Sequence, residues 1–334
     1  MFIVVDCGTT NMRCSLYSGQ RLVDSVRRQA GGRNTAFDGN SNALSVSLRE
    51  CINELLAKNG LSHGDIEVVI SSGILASDVG IYPIPHVTAP AGVEESARHA
   101  RLTVIGEITF IPILFIPGVK VLPDTCITDE TEKIALWDSM SGEECEIYGT
   151  VKLMGLSGEL TVCLPGSYNK TLRIDAEGRI TAMRTGMCGE FIAAMSEHTI
   201  LKQSLPHPVI QRVIPQKLKQ GFEFAGQNGV SPAMIKARLV RTLGGWGADD
   251  AANFFVGALL HDDIRVTASL CSPSIPLVLG GSEPLRTVFG VLLRNCGIEN
   301  IIEVPTQVAS IAPNIGAITV YEKFIQNKNK NRRF

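Results

Sequence analysis

The sequence predicts an α/β fold with mixed sheets, built from two units that each run strand, strand, strand, helix, strand. Two observations predict it. The same order of elements can be read twice, over residues 2–70 and again from residue 159. Each copy also opens with two strands joined by a turn of small and polar residues, Gly8-Thr9-Thr10-Asn11 in the first and Pro165-Gly166-Ser167-Tyr168-Asn169 in the second. The repeat lies in the order of elements, without a fixed sequence period. Three strands before the first helix argue for a mixed sheet and against an alternating βαβ array.

Taken in order, residues 2–6 are a β-branched apolar run, residues 12–17 alternate in character, and residues 20–28 read as a third strand. The turn Tyr17-Ser18-Gly19-Gln20 makes the last two a hairpin. Residues 42–59 carry apolar side chains at helical spacing, and Asn59-Gly60 marks the helix end. Residues 66–70 are a short buried strand before Ser71-Ser72-Gly73. In the second copy the strands are residues 159–164, 170–175 and 179–185, with a hairpin turn at Ala176-Glu177-Gly178 and a helix starting near Gly189. A helical stretch follows over 206–261, then a buried strand over 276–279, a helix over 283–294, a strand near 301–304 and a last helix from about Thr306 to Phe324.

A chain of 334 residues has room for two domains. They are expected over residues 1–120 and 121–325, with a helical insertion over 203–262, the last helix packing back on the first domain, and a disordered basic tail over 326–334. Lys plus Arg is 31 and Asp plus Glu is 33, a net charge of −2 that argues against nucleic acid as the main partner. Nine cysteines, none spaced C-x-x-C, fit neither a disulfide framework nor a zinc site and read as buried thiols of a cytoplasmic protein. Met1 leads directly into a strand without a basic leader. The most apolar stretch, residues 108–121, is too short for a membrane span and holds two prolines. Oligomeric state is open, a homodimer included.

A tight turn of small polar residues between two strands suits phosphate, because its backbone N–H groups form an anion nest and its hydroxyls add donors. Asp6 ends the first strand beside such a turn, where a carboxylate can orient a hydrated Mg²⁺ bridging phosphates; alone, the feature also fits an ordinary hairpin. Its recurrence at Gly166-Ser167, with Lys170 following, is the layout of the actin, sugar-kinase and Hsp70 ATPase architecture. That architecture has two ribonuclease-H-like domains around an interdomain cleft that takes ATP. A third turn, Gly280-Gly281-Ser282, follows a buried strand and suits close approach to the nucleoside. Other nucleotide folds fail: Leu164 and Asn169 stand where a P-loop needs glycine, and no G-x-G-x-x-G follows a strand. His198, His207 and His261 are scattered and read as structural.

These residues resemble the 2-keto-3-deoxygalactonokinase family over roughly residues 2–325. Asp6-Cys7-Gly8-Thr9-Thr10-Asn11-Met12-Arg13 is similar to the family's opening Asp-x-Gly-Ser/Thr-Thr-Asn-x-Arg. Ser72-Gly73-Ile74, Pro90-Ala91-Gly92, Phe115-Ile116-Pro117-Gly118-Val119, Leu164-Pro165-Gly166-Ser167 with Lys170, Arg184-Thr185 and Gly189-Glu190 resemble its later motifs. The family's Arg-Gly-Glu-Glu-Thr is matched here to Ile127-Thr128-Asp129-Glu130-Thr131, so its arginine becomes Ile127 and its glycine Thr128. Tyr168 replaces a histidine, Cys188 a threonine, and Leu259-Leu260-His261-Asp262-Asp263 a Leu-Ile-Gly-x-Glu helix.

The resemblance implies a kinase that transfers a phosphoryl group from ATP, with Mg²⁺, to a hydroxyl of a keto-deoxy sugar acid. Phosphate and Mg²⁺ then fall to Asp6, Thr9, Thr10 and Asn11, the other phosphates to Gly166, Ser167 and Lys170, and adenosine to Gly280, Gly281 and Ser282. The paired carboxylates Asp129 and Glu130 are the candidates for the base; a solvated helix start explains them equally well. Arg13, then Arg184, are candidate cations for the acid group, and Ser77 and Asp78 could bind sugar hydroxyls. A non-catalytic sensor on the same fold, and another enzyme of the superfamily, stay open beside the kinase.

Overall fold

The computed structural model describes residues 1–32 and 39–331. They divide into two compact units. One holds residues 1–157, 178–181 and those from Gln307 onward; the other holds residues 158–177 and 182–306.

The first unit contains β1 (Phe2–Cys7), β2 (Met12–Ser18), β3 (Arg21–Arg28), α1 (Asn42–Lys58), β4 (Val68–Gly73), β5 (Val87–Thr88), α2 (Val93–His99), β6 (Arg101–Ile105), β7 (Thr109–Phe115), β8 (Val119–Val121), α3 (Glu130–Leu136), β9 (Asp138–Met140) and α4 (Glu143–Met154). Its main sheet has the order β3-β2-β1-β4-β7-β6. β1 runs antiparallel to β2, with Asp6 opposite Arg13, and parallel to β4, with Asp6 beside Ser72. Leu44, Leu48, Ile52 and Leu55 recur every three or four residues on α1, and this stripe is buried in one core with Ile3, Val5 and Leu16 of the sheet. A small second sheet, β5-β8-β9, lies in the same unit.

The second unit contains β10 (Leu160–Leu164), β11 (Asn169–Ile174), all but the first two residues of β12 (Ile180–Gly186), α5 (Cys188–His198), α6 (Pro215–Asn228), α7 (Val230–Thr242), α8 (Ala248–Leu259), α9 (His261–Leu270), β13 (Leu277–Leu279), α10 (Leu285–Asn295) and β14 (Ile301–Glu303). Its sheet order, β12-β11-β10-β13-β14, reproduces the first five positions of the other sheet, with the same antiparallel and parallel pairings about β10 and β13. The repeated order of elements is therefore a repeated topology. Helices α6, α7 and α8 lie at 215–259.

Two domain expectations need correction. The first unit extends to Ser157 instead of ending near residue 120. β9 pairs with β8, and α4 packs against α11 (Thr306–Asn331), which keeps the intervening chain in this unit. The two helices meet backbone to backbone: a Cβ on Gly149 would strike the Ala312 carbonyl, and one on Gly316 the Cys145 carbonyl. The basic segment is also helical to Asn331. Glu94 of α2 holds it, accepting from Asn327 at 3.2 Å and pairing with Lys323 at 2.8 Å. Among the described residues no helix is long and apolar enough to cross a membrane.

Candidate active site

In the first unit the site grows from the end of β1. Asp6 is the penultimate residue of that strand, and the Gly8 N–H donates to the Asn11 carbonyl at 3.0 Å, closing the turn that holds Thr9 and Thr10. Gly32 N–H donates to Gly8 O at 3.3 Å and backs the turn from behind. Thr9, Thr10 and Asn11 are half-buried, so their polar groups remain accessible. Burial raises the Asp6 carboxyl above its ordinary value, and the Arg13 guanidinium across the strand pair draws it back. Arg13 also donates to the Ser310 carbonyl at 3.3 Å.

The structure brings a second pair of carboxylates to this end of the sheet. Gly142, at φ 115°, stacks on Gly73 at the end of β4 and starts α4. Its N–H donates to both carboxylate oxygens of Glu144, at 2.9 and 2.8 Å. Glu144 is fully buried, and its carboxyl is pushed up to about 8, chiefly by burial and then by the charge of Glu143, with Asp6 adding a smaller repulsion. Glu143 itself is half-buried. Residues 142–144 read Gly-Glu-Glu, the centre of the family pattern placed above on Ile127–Thr131; in this register Ser141 takes the arginine position and Cys145 the threonine position. That literal triplet was the signal available in the sequence.

Of the two readings left open for Asp129 and Glu130, the geometry matches the helix start. Asp129 caps α3 by accepting from the Glu132 N–H at 2.8 Å, and the Glu130 side chain is 73% exposed and paired with Lys133 at 2.7 Å. They form a solvated helix start, since α3 has no buried residue. Ser77 is buried and donates to the Ile74 carbonyl at 2.8 Å, so its hydroxyl serves its own turn; Asp78 is exposed and accepts from the Val79 N–H at 3.1 Å.

In the second unit, the turn after β10 leaves Ser167 exposed and Gly166 half-buried. The start of α5 lies directly on it. Glu190 N–H donates to Ser167 O at 3.2 Å, and a Cβ on Gly189 would collide with Gly166. Cys188 donates from Sγ to Gly166 O at 3.5 Å, and burial pushes its thiol up to about 12, so it replaces the family's threonine as a donor to the turn and not as a nucleophile. The Gly280-Gly281-Ser282 turn lies beside it: Gly280 N–H donates to Cys163 O at 2.9 Å, and Gly281, at φ 75°, sits against the Pro165 carbonyl. Lys170 is buried, its Nζ donating to Thr185 Oγ1 at 2.8 Å. Arg184 donates to the Met183 carbonyl at 2.7 Å. Asp263, in the family's glutamate position, is bonded to Asn169 and raised to about 6 by burial. The second turn, the start of α5 and the glycine turn thus gather at the C-terminal ends of β10 and β13.

A hydrated Mg²⁺ fits the first site on chemical grounds. Glu144 is a fully buried carboxylate and Asp6 a half-buried one, burial raises the carboxyl of each, and Mg²⁺ needs only one or two carboxylates when phosphates and waters complete its shell. Among the described residues there is no cluster of three or more acidic, His or Cys side chains that would hold a metal by itself.

Comparison with known proteins identifies the family. Residues 6–312 match the 2-keto-3-deoxy-galactonokinase family. A 2-dehydro-3-deoxygalactonokinase of Escherichia coli K12 is 24% identical over 290 residues, covering 85% of this chain and 87% of that protein. A solved structure of a Sinorhizobium meliloti protein assigned as a 2-dehydro-3-deoxygalactonokinase superposes with a TM-score of 0.74 at 20% identity, covering 96% of each chain. The likeness shows that this chain and that protein share a fold. The chain belongs to the 2-keto-3-deoxy-galactonokinase family.

Proposed function

We propose that the chain is an ATP-dependent kinase that phosphorylates a hydroxyl of 2-keto-3-deoxygalactonate or a closely related keto-deoxy sugar acid. The observation that carries this reading is the family match over residues 6–312, which spans every polar turn and carboxylate described above.

Phosphoryl transfer asks the protein for positioning, charge neutralisation and a base for the attacking hydroxyl. The turn of Thr9, Thr10 and Asn11 is assigned to phosphate, as is the turn of Gly166 and Ser167; Gly280, Gly281 and Ser282 are assigned to the nucleoside. Asp6 would hold the hydrated Mg²⁺, which neutralises charge on the transferred group. Lys170 is better read as a brace between β11 and β12. Glu143 is the base in this reading. It is half-buried and so reaches solvent, and it stands next to the fully buried Glu144. Glu144 has both oxygens on the Gly142 N–H and is a positioning residue. Arg13 is the cation for the substrate carboxylate, a charge-assisted pairing of about 1.5–3 kcal/mol.

The test is ADP release by the purified chain with ATP and Mg²⁺ across a panel of keto-deoxy sugar acids, plain aldonates and neutral sugars. Turnover confined to the keto-deoxy acids is expected. Equal turnover of neutral sugars would refute the acid specificity, and no turnover with any acceptor would favour a binding protein on the same fold.

A further inference from the structure

Strand β8 lies between β5 and β9. His86, just before β5, and Ser141, just after β9, therefore stand on opposite sides of it, two strand spacings or about 10 Å apart in ordinary sheet geometry. A side chain on the residue between them would block any contact. That residue is Gly118: a Cβ there would land on the His86 ring and on the Met140 carbonyl. Across this gap the imidazole reaches over the backbone, and its Nε2 lies 2.9 Å from Ser141 Oγ. Val87 N–H donates to Gly118 O at 2.9 Å and fixes the arrangement.

Ser141 immediately precedes Gly142-Glu143-Glu144, and Gly142 stacks on Gly73, the residue paired with Cys7 beside Asp6. The His86–Ser141 pair therefore borders the carboxylates at the end of β1. Both side chains are half-buried, held in place yet reachable. A hydroxyl bonded to one imidazole nitrogen keeps a further hydrogen-bonding position in either tautomer. It offers a single neutral contact and cannot make the bidentate, cationic contact of the arginine that the family pattern has at this position.

We infer that Ser141, oriented by His86 across Gly118, is a specificity-determining residue that hydrogen-bonds a neutral oxygen of the acceptor, a hydroxyl or keto oxygen of the sugar-acid chain. The inference rests on the sugar-acid kinase reading and deepens it. Ser141 touches substrate; His86 is a positioning residue acting through Ser141.

The experiment measures KM for 2-keto-3-deoxygalactonate and for ATP in wild type, Ser141→Ala, His86→Ala, His86→Gln and the Ser141→Ala/His86→Ala double variant. Analogues of the acid that each lack one oxygen function serve as additional acceptors. A neutral hydrogen bond predicts that Ser141→Ala raises the acceptor KM about three- to tenfold while the ATP KM stays put. His86→Ala should do the same, and the double variant no more than either single, because both act through one hydroxyl. His86→Gln, which retains a donor, should recover part of the loss. One analogue should be insensitive to Ser141→Ala, and it names the oxygen recognised. An unchanged acceptor KM, a matching rise in the ATP KM, or additive single effects would overturn the inference, since the pair would then only brace the turn before Glu143. Wild type inert toward every sugar acid and failing to bind them in calorimetry would instead overturn the kinase reading and the inference with it.

Discussion

Replacing Glu144 by glutamine should make the protein more stable at alkaline pH and change little in acid. Glu144 is fully buried, and burial with the neighbouring charges raises its carboxyl from 4.5 in the unfolded chain to about 8. Below pH 4.5 both states carry the proton and the full contribution is present. Between 4.5 and about 8 the folded chain still holds a proton that the unfolded chain has released, so stability falls as pH rises. Above about 8 the loss is complete. At 1.36 kcal/mol per pH interval the window corresponds to at most about 5 kcal/mol. Glutamine is neutral throughout and keeps one oxygen for the Gly142 N–H. Urea unfolding of wild type and Glu144→Gln should therefore agree within about 1 kcal/mol at pH 5 and diverge by roughly 2–5 kcal/mol at pH 8.5, with the variant the more stable. Titrating groups that do not interact with Glu144 are common to both proteins and cancel in the difference. A difference that stays constant between pH 5 and 8.5, or that favours wild type in alkali, would refute the reasoning.

Other consequences can be checked with kinetics. Asp6→Asn should fold normally and lose turnover by about a hundredfold or more, measured as kcat with saturating Mg²⁺. Glu143→Gln should cost about 10²- to 10⁴-fold in kcat, whereas Glu130→Gln should stay within about threefold, a contrast that decides which pair supplies the base. Arg13→Met should raise the KM for the acid by roughly 10- to 100-fold with ATP affinity spared. Because Arg13 draws the Asp6 carboxyl down, the acid limb of kcat/KM against pH should also move to higher pH in that variant. Gly149→Val should lower Tm sharply, as its side chain would enter the Ala312 backbone.

Much of the fold was legible because it is written locally. The apolar stripe of α1, the hairpin turn at Tyr17–Gln20 and the paired polar turns each follow from residues close in sequence, and the repeated topology follows from their order. The region from Val87 to Met154 was not legible. Strands β5, β8 and β9 are two or three residues long, too short for a period to declare itself, and the meaning of Gly118 appears only when His86 and Met140 are seen to close over it. The site divides in the same way. Asp6 and the turns are candidates by type and position alone, whereas Glu144 owes its properties to burial, and Asp129 and Glu130 owe theirs to its absence. Adjacent acidic residues look alike in sequence, and only packing separates a helix cap from a buried carboxylate. Lys170 is a related case, since its spacing after the second turn could not reveal that Thr185 takes its ammonium group.

The account rests on one claim, that this chain moves a phosphoryl group from ATP to a keto-deoxy sugar acid. The most direct measurement is ³¹P NMR of a reaction containing the full chain, ATP, Mg²⁺ and 2-keto-3-deoxygalactonate, run beside the same mixture without the acid. The account predicts a new phosphomonoester signal that grows in step with ADP, needs the acid, and is lost with Asp6→Asn and Glu143→Gln. ADP and inorganic phosphate formed without any phosphomonoester, or an unchanged ATP spectrum with every keto-deoxy acid supplied, would contradict it.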